Sequence, residues 1–294
     1  MGITCEDVEM ALKAKKPSTK EQRLKCFFYG SAGIGKTMAA IQFPAPYIID
    51  TEGSTNKPQY VKAIEKVGGA VLMTNDFEEM INEVRELLTT KHEYKTLVID
   101  SLTLLYNDLL EIAEKKVGSD FGKHYAEANK RMKQLLNLLF RLDMNVIITS
   151  HSKTEYKISG KEMSVVGETF DCYKKLDYLF DLVFQIQKRG ADRVGIVKKS
   201  RIEGFPDMDS FPFSYDEIAN RYGRDVLERD SVAQEIATKE QVTEINRLID
   251  LIKVPSEIFQ KWLDKGCSER WEEMPRDAIQ KCIDHLNSKI KGAE

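Results

Sequence analysis

Glycines at positions 30, 33 and 35, followed at once by Lys36 and Thr37, constrain this chain more than any other feature. The octapeptide Gly30-Ser31-Ala32-Gly33-Ile34-Gly35-Lys36-Thr37 comes directly after the apolar run Cys26-Phe27-Phe28-Tyr29. Glycine lets a backbone curl until successive N–H groups point at one anion, and a helix opening behind the turn adds its positive end. A helical pattern, Thr37-Met38-Ala39-Ala40-Ile41-Gln42, does follow. The unit is therefore strand, loop, helix. It places the loop at the carboxyl edge of a parallel sheet and makes it a cradle for a nucleoside triphosphate. Lys36 is expected to reach the β- and γ-phosphates, Thr37 to hold Mg²⁺, and Met38 to close the cradle. ATP and Mg²⁺ are the implied cofactors.

The surrounding pattern is that of an α/β protein. Apolar runs at Lys25–Tyr29, Pro46–Asp50, Ala70–Met73, Thr96–Asp100, Asn145–Ser150, Asp181–Gln187 and Arg193–Lys198 read as strands. Between them, residues 36–42, 57–67, 77–89, 104–117 and about 125–141 carry apolar residues at helical spacing. Such alternation means a mainly parallel sheet with helices on its faces. Residues 23–228 form the expected core, and residues 1–22 an N-terminal segment that could act as an assembly arm. The stretch Tyr222–Ala237 is charged and weakly periodic and reads as a linker. Beyond it, Thr238-Lys239-Glu240-Gln241 is a capping box. Three short amphipathic helices follow, giving a small C-terminal three-helix domain over 238–294.

Composition excludes little. Lys and Arg total 44 against 47 Asp and Glu, a net charge of −3, so any nucleic acid must be met by local patches. Five scattered cysteines without a Cys-x-x-Cys pair argue against a disulfide framework or a zinc site. No apolar stretch reaches membrane-spanning length, no signal peptide is evident, and Glu6 stands where myristoylation wants Ser or Thr. A cytoplasmic location is expected, the bacterial host's if the chain is phage-encoded.

Around the loop, Thr96-Leu97-Val98-Ile99-Asp100 is a strand ending in an acid, as suits a carboxylate that positions magnesium through bound water. Ile48-Ile49-Asp50-Thr51-Glu52-Gly53 then narrows the choice. With these motifs in this order, the chain resembles the RecA family of recombinase ATPases over roughly residues 22–225. The resemblance implies a RecA-like core and makes Glu52 the base that polarises the attacking water. Tyr60 falls near a family tyrosine that stacks on adenine, and reads equally as a core aromatic. His151, ending Asn145-Val-Ile-Ile-Thr-Ser-His151, stands where recombinases place a γ-phosphate-sensing Gln. Lys199 and Arg201 match a cationic pair that enters the neighbouring subunit's ATP site, which implies a homo-oligomer, filament or ring.

The same resemblance places two DNA-contacting loops. The first would run through Lys115, Lys116 and Lys123 to Tyr125, continuing into Lys130 and Arg131. The second would carry Lys153, Tyr156, Lys157 and Lys161. Basic residues with interleaved aromatics suit single-stranded DNA, although lysine-rich loops are also ordinary surface. A minimal core with a helical tail looks most like the AAA-type phage nucleotide-binding proteins of the Sak-four kind, single-strand annealing proteins. Membership would imply an ATP-dependent recombinase that pairs complementary strands and works with a single-strand DNA-binding protein, docked through the tail. A replicative helicase or helicase loader, and a nucleotide-gated scaffold that does not process DNA, remain open on the sequence.

Overall fold

The computed structural model describes residues 22–159, 162–266 and 268–291. The expected assembly arm up to residue 21, together with Cys5, Lys161 and Cys267, lies outside the described residues. The chain alternates β1 (Lys25–Gly30), α1 (Lys36–Ala40), β2 (Pro46–Asp50), α2 (Pro58–Lys66), β3 (Ala70–Met73), α3 (Phe77–Thr89), β4 (Thr96–Asp100) and α4 (Leu102–Val117). It continues with α5 (Lys123–Arg141), β5 (Asn145–Ser159), β6 (Glu162–Phe170), α6 (Leu176–Leu179), β7 (Leu182–Arg189), β8 (Asp192–Ser200) and β9 (Ser210–Pro212). Helices α7 (Tyr215–Tyr222), α8 (Arg224–Glu228), α9 (Lys239–Ile252), α10 (Ser256–Lys265) and α11 (Arg276–Lys291) complete it.

The strands join one sheet in the order β3-β2-β4-β5-β1-β7-β8-β9. From β3 to β7 every pairing is parallel, and β8 and β9 add antiparallel strands at one side. Period-two alternation divides the side chains between two cores. Phe27, Tyr29, Leu97, Ile99, Val146 and Ile148 face α3, α4 and α5. Cys26, Phe28, Val98, Ile147, Leu182 and Phe184 face α1, Ile64 of α2 and α7 on the other side. Burying apolar surface on both faces is what holds this arrangement of strands. A third cluster, with Ile245, Leu248, Leu263, Trp271, Ile279, Ile283 and Leu286, lies within the C-terminal helices. The capping box at Thr238 forms as the sequence suggests, with Thr238 and Gln241 bonding reciprocally.

One buried cation fixes the start of β1. Lys25 is almost wholly enclosed, and its Nζ donates to the carbonyls of Leu139, Leu142 and Met144, each at 2.9 Å. Leu139 and Leu142 lie at the end of α5, where the helix leaves acceptors without partners and carries partial negative charge, and Met144 follows just before β5. An ammonium with three donors satisfies all three carbonyls at once.

The structure corrects two expectations. The strand expected to stop at Ser150 runs on to Ser159, and with β6 it builds an antiparallel hairpin in place of the second mobile loop. The stretch Tyr222–Ala237 is not a free linker. Arg23 donates to the carbonyls of Val226, Arg229 and Asp230, Gln234 donates its backbone N–H to Leu88, and Leu227 is fully buried. Its sequence looks irregular because it is held by backbone hydrogen bonds and not by an apolar stripe. Among the described residues no helix is long and apolar enough to cross a membrane.

Replacing Lys25 by Met fills similar space but leaves three buried carbonyls unpaired. Lys25→Met is therefore expected to lower the unfolding free energy by about 3 kcal/mol, read as an earlier midpoint in urea. An unchanged midpoint would show that Lys25 is not the fastener of β1 and α5.

Candidate functional site

The motif residues converge at the carboxyl edge of the sheet because β5 lies between β1, which feeds the glycine-rich loop, and β4, which ends in Asp100. Gly30 pairs with His151 in register, so the loop begins beside the tip of the neighbouring strand. A Cβ on Gly30 would come within 2.6 Å of the Ile186 carbonyl, which requires glycine where β1 gives way to the loop. Gly35, at φ +100°, caps α1 in a conformation that side chains rarely adopt. Ser31, Ala32 and Gly33 are exposed, Ile34 and Gly35 are half-buried, and Met38 packs against the second core.

Lys36 is buried against its own loop, donating to the carbonyls of Gly30 at 2.8 Å and Ser31 at 3.0 Å. Two of its three donors are used in this way, leaving one for a phosphate oxygen. Burial lowers its pKa below the usual lysine range, with Asp100 and Glu52 pulling in the opposite direction.

Thr37 donates its hydroxyl to Asp100 Oδ2 at 2.6 Å, while Thr149 of β5 donates to Asp100 Oδ1. A hydroxyl and a carboxylate in contact are hard oxygen donors of the kind magnesium prefers, and the ion ordinarily completes its shell with water and phosphate. The described residues contain no group of three or more His, Cys, Asp or Glu able to hold a metal by themselves. Burial raises the Asp100 pKa; the hydrogen bonds from Thr149 and Thr37 hold it back, and the nearby carboxylates of Glu52 and Asp50 add to the rise.

Glu52 sits in the turn after β2. Its Oε1 accepts from Ser101 Oγ at 2.7 Å and lies 2.7 Å from His151 Nε2. Asp50 shapes that turn: Oδ1 accepts from the Glu52 backbone N–H, and Oδ2 accepts from Thr55 through both backbone and hydroxyl. Thr51 ties the turn to β4, bonding both backbone groups of Ser101 at 2.9 Å. The carboxylate thus projects beside the Thr37–Asp100 pair with defined orientation, as a water-polarising group requires.

Tyr60 lies on α2, half-buried against the second core. Lys199 donates from Nζ to the carbonyls of Asp177, Tyr178 and Phe180, closing the end of α6, and burial followed by the neighbouring Arg201 lowers its pKa. Arg201 is exposed and pairs with Asp181 at 3.2 Å. Neither residue reaches the glycine-rich loop of its own chain by any hydrogen bond.

A family model described as an AAA domain matches residues 22–206, well over half of the chain. The chain belongs to the AAA domain family. Comparison with curated proteins gives no match. Membership makes this AAA-domain protein a nucleotide-binding ATPase of the phosphate-loop type, and magnesium is the usual companion of such a site.

The expected DNA contacts of this AAA-domain protein lie on α4, α5 and the β5 hairpin. Lys115 and Lys116 end α4 and Lys123 opens α5, so the first loop shrinks to Gly118–Gly122, with Phe121 fully exposed at its tip. Lys116 pairs with Glu127. Lys130 and Arg131 lie well inside α5, and Arg131 is tied to Glu78 with its guanidinium 5.6 Å from the Phe77 ring. Lys153, Tyr156 and Lys157 are exposed on β5, and Lys153 pairs with Asp171.

Sequence reasoning gave no role to Asp50, Ser101, Thr149 or Arg193. Asp50 had a local signal, since Asp-x-Glu-x-x-Thr is the spacing of a side-chain-closed turn. The other three are brought in only by the sheet order and had none.

A buried carboxylate whose pKa is raised on folding costs stability progressively as pH rises from its unfolded value through its folded value. Asp100→Asn removes that charge while keeping the shape. Without nucleotide it is expected to melt about 2 °C higher than the wild type at pH 7, and to lose the further stabilisation given by Mg²⁺ with ATP. A lower melting temperature without nucleotide would contradict this electrostatic reading.

Proposed function

We propose that this AAA-domain ATPase is an oligomeric single-stranded-DNA-binding recombinase that pairs complementary strands, using ATP held at Gly30–Thr37. The single observation that carries the reading is the continuity of β5. One strand passes from Thr149, bonded to Asp100, through His151, beside Glu52, into an exposed hairpin bearing Lys153, Tyr156 and Lys157. A change in nucleotide state at one end is mechanically joined to the surface at the other.

In this reading Lys36 holds the β- and γ-phosphates, and Thr37 and Asp100 hold magnesium, which offsets phosphate charge when bound. Glu52 takes the proton of the attacking water, and His151 keeps that carboxylate oriented. The hairpin and the tip at Phe121 and Tyr125 form the DNA surface, with exposed rings as stacking platforms and lysines for phosphates. Lys199 has all three donors engaged within the subunit, whereas Arg201 is exposed and held only by Asp181 and the Tyr178 carbonyl at 3.2 Å, so Arg201 is the better group to enter a neighbour's site. The C-terminal helices, which expose Leu251 and Ile258, are proposed as the dock for a single-strand DNA-binding protein.

Fluorescence anisotropy of a labelled oligonucleotide tests the DNA surface. Binding is expected in Mg²⁺–ATP, and Tyr156→Ala with Phe121→Ala should weaken it about tenfold or more. Wild-type protein that leaves the oligonucleotide free in Mg²⁺–ATP would end this reading. For the subunit boundary, mixing Arg201→Ala with Glu52→Gln protein should restore ATP turnover that neither has alone. Co-assembly without turnover would remove Arg201 from the site.

A further inference from the structure

A second basic residue lies on the glycine-rich loop, supplied from far along the chain. Strand β7 runs parallel to β1 with Tyr29 opposite Gln185, so Ile186 to Arg189 continue past the sheet edge alongside the loop. There β8 turns back, and Arg193 pairs with Lys188 in the overhanging hairpin. Its Nε donates to the Ile34 carbonyl at 2.8 Å. The contact is close enough that a Cβ on Gly35 would stand 2.8 Å from Arg193 Cδ and nearer still to Nε. The last glycine of the motif therefore makes room for this arginine as well as supplying its own backbone angle.

Arg193 differs from Arg201, Lys153 and Lys199 in what its charge meets. Arg201 is paired with Asp181, Lys153 with Asp171, and Lys199 is spent on three carbonyls. Among the described residues no carboxylate pairs with Arg193; its one side-chain bond goes through Nε, and both terminal nitrogens of the fork are left unused. A guanidinium held by Nε with both terminal nitrogens available is arranged for bidentate contact with phosphate oxygens. Within one subunit a triphosphate also has charge left for a further cation to meet. Magnesium and one lysine, with two of its donors already engaged, leave a triphosphate with excess negative charge.

We propose that Arg193 is a nucleotide-binding residue acting in cis, its terminal nitrogens holding the α- and β-phosphates of the nucleotide cradled by its own subunit's loop. The inference rests on the ATP reading of that loop. It adds a second cation to Lys36 and separates binding, through Arg193, from completion of the site by a neighbour, through Arg201. Because the contact is to phosphates that ADP and ATP share, Arg193 acts on affinity for both and not on the hydrolytic step.

The test is titration of the full chain with fluorescently labelled ATP and ADP in Mg²⁺, at several salt concentrations, for wild type, Arg193→Ala and Arg193→Lys. Arg193→Ala is expected to weaken both nucleotides by about tenfold or more and to flatten the dependence of affinity on salt, because one screened ion pair is gone. Arg193→Lys should recover the salt dependence and part of the affinity. Arg193→Ala affinity within about twofold of wild type would overturn the proposal while leaving the ATP reading intact. So would a loss that is equal at every salt concentration and accompanied by a lower melting temperature, which would make Arg193 a fastener of the loop through Ile34. Wild-type protein that binds neither nucleotide would overturn both readings.

Discussion

Asp100 accepts a hydroxyl from Thr37 behind the glycine-rich loop and another from Thr149 in the middle of β5. That buried carboxylate joins three elements that the chain supplies far apart, and the rest of the site is built around it. Asp100 is nearly inaccessible, so its charge is tolerable only while oxygen donors or a cation face it. The same buried charge that costs stability without a ligand is what would draw magnesium in.

From this centre the geometry passes outward in two directions. One leads through Ser101 and Glu52 to His151 and then along β5 to the exposed hairpin. The hairpin has a bulge between Glu155 and Tyr156, beyond which Tyr156 faces Val165 on a surface with no core beneath it. The other leads across the loop to the β7–β8 overhang, where Arg193 meets Ile34. Both routes leave the sheet at its carboxyl edge, the usual place for ligands in open parallel α/β folds.

Much of the fold was legible in local pattern. β2, β3, β4 and α3 have the bounds read from the sequence, because short apolar runs and a strong helical stripe carry the signal within a few residues. The loop was legible for the same reason: its chemistry lies in eight consecutive residues. The β5–β6 hairpin was not, since Lys153 to Lys157 is mostly polar and exposed and buries no face that a period-two reading could detect. The stretch after Tyr222 looked like a linker because it is pinned through its backbone carbonyls by the Arg23 side chain. Arg193 was invisible at the sequence level. It lies 159 positions from the carbonyl it bonds, and only the sheet order brings the two together.

In the proposed mechanism Glu52, bonded to Ser101 and His151, is the base that carries binding over into hydrolysis. Phosphate release from ATP by wild-type and Glu52→Gln protein, with retained nucleotide measured in parallel, tests this most directly. The expected result is that Glu52→Gln holds ATP as tightly as wild type but releases phosphate about a hundredfold more slowly. Turnover by Glu52→Gln at the wild-type rate would contradict the assignment of the base, and with it the path from the loop through His151 to the hairpin.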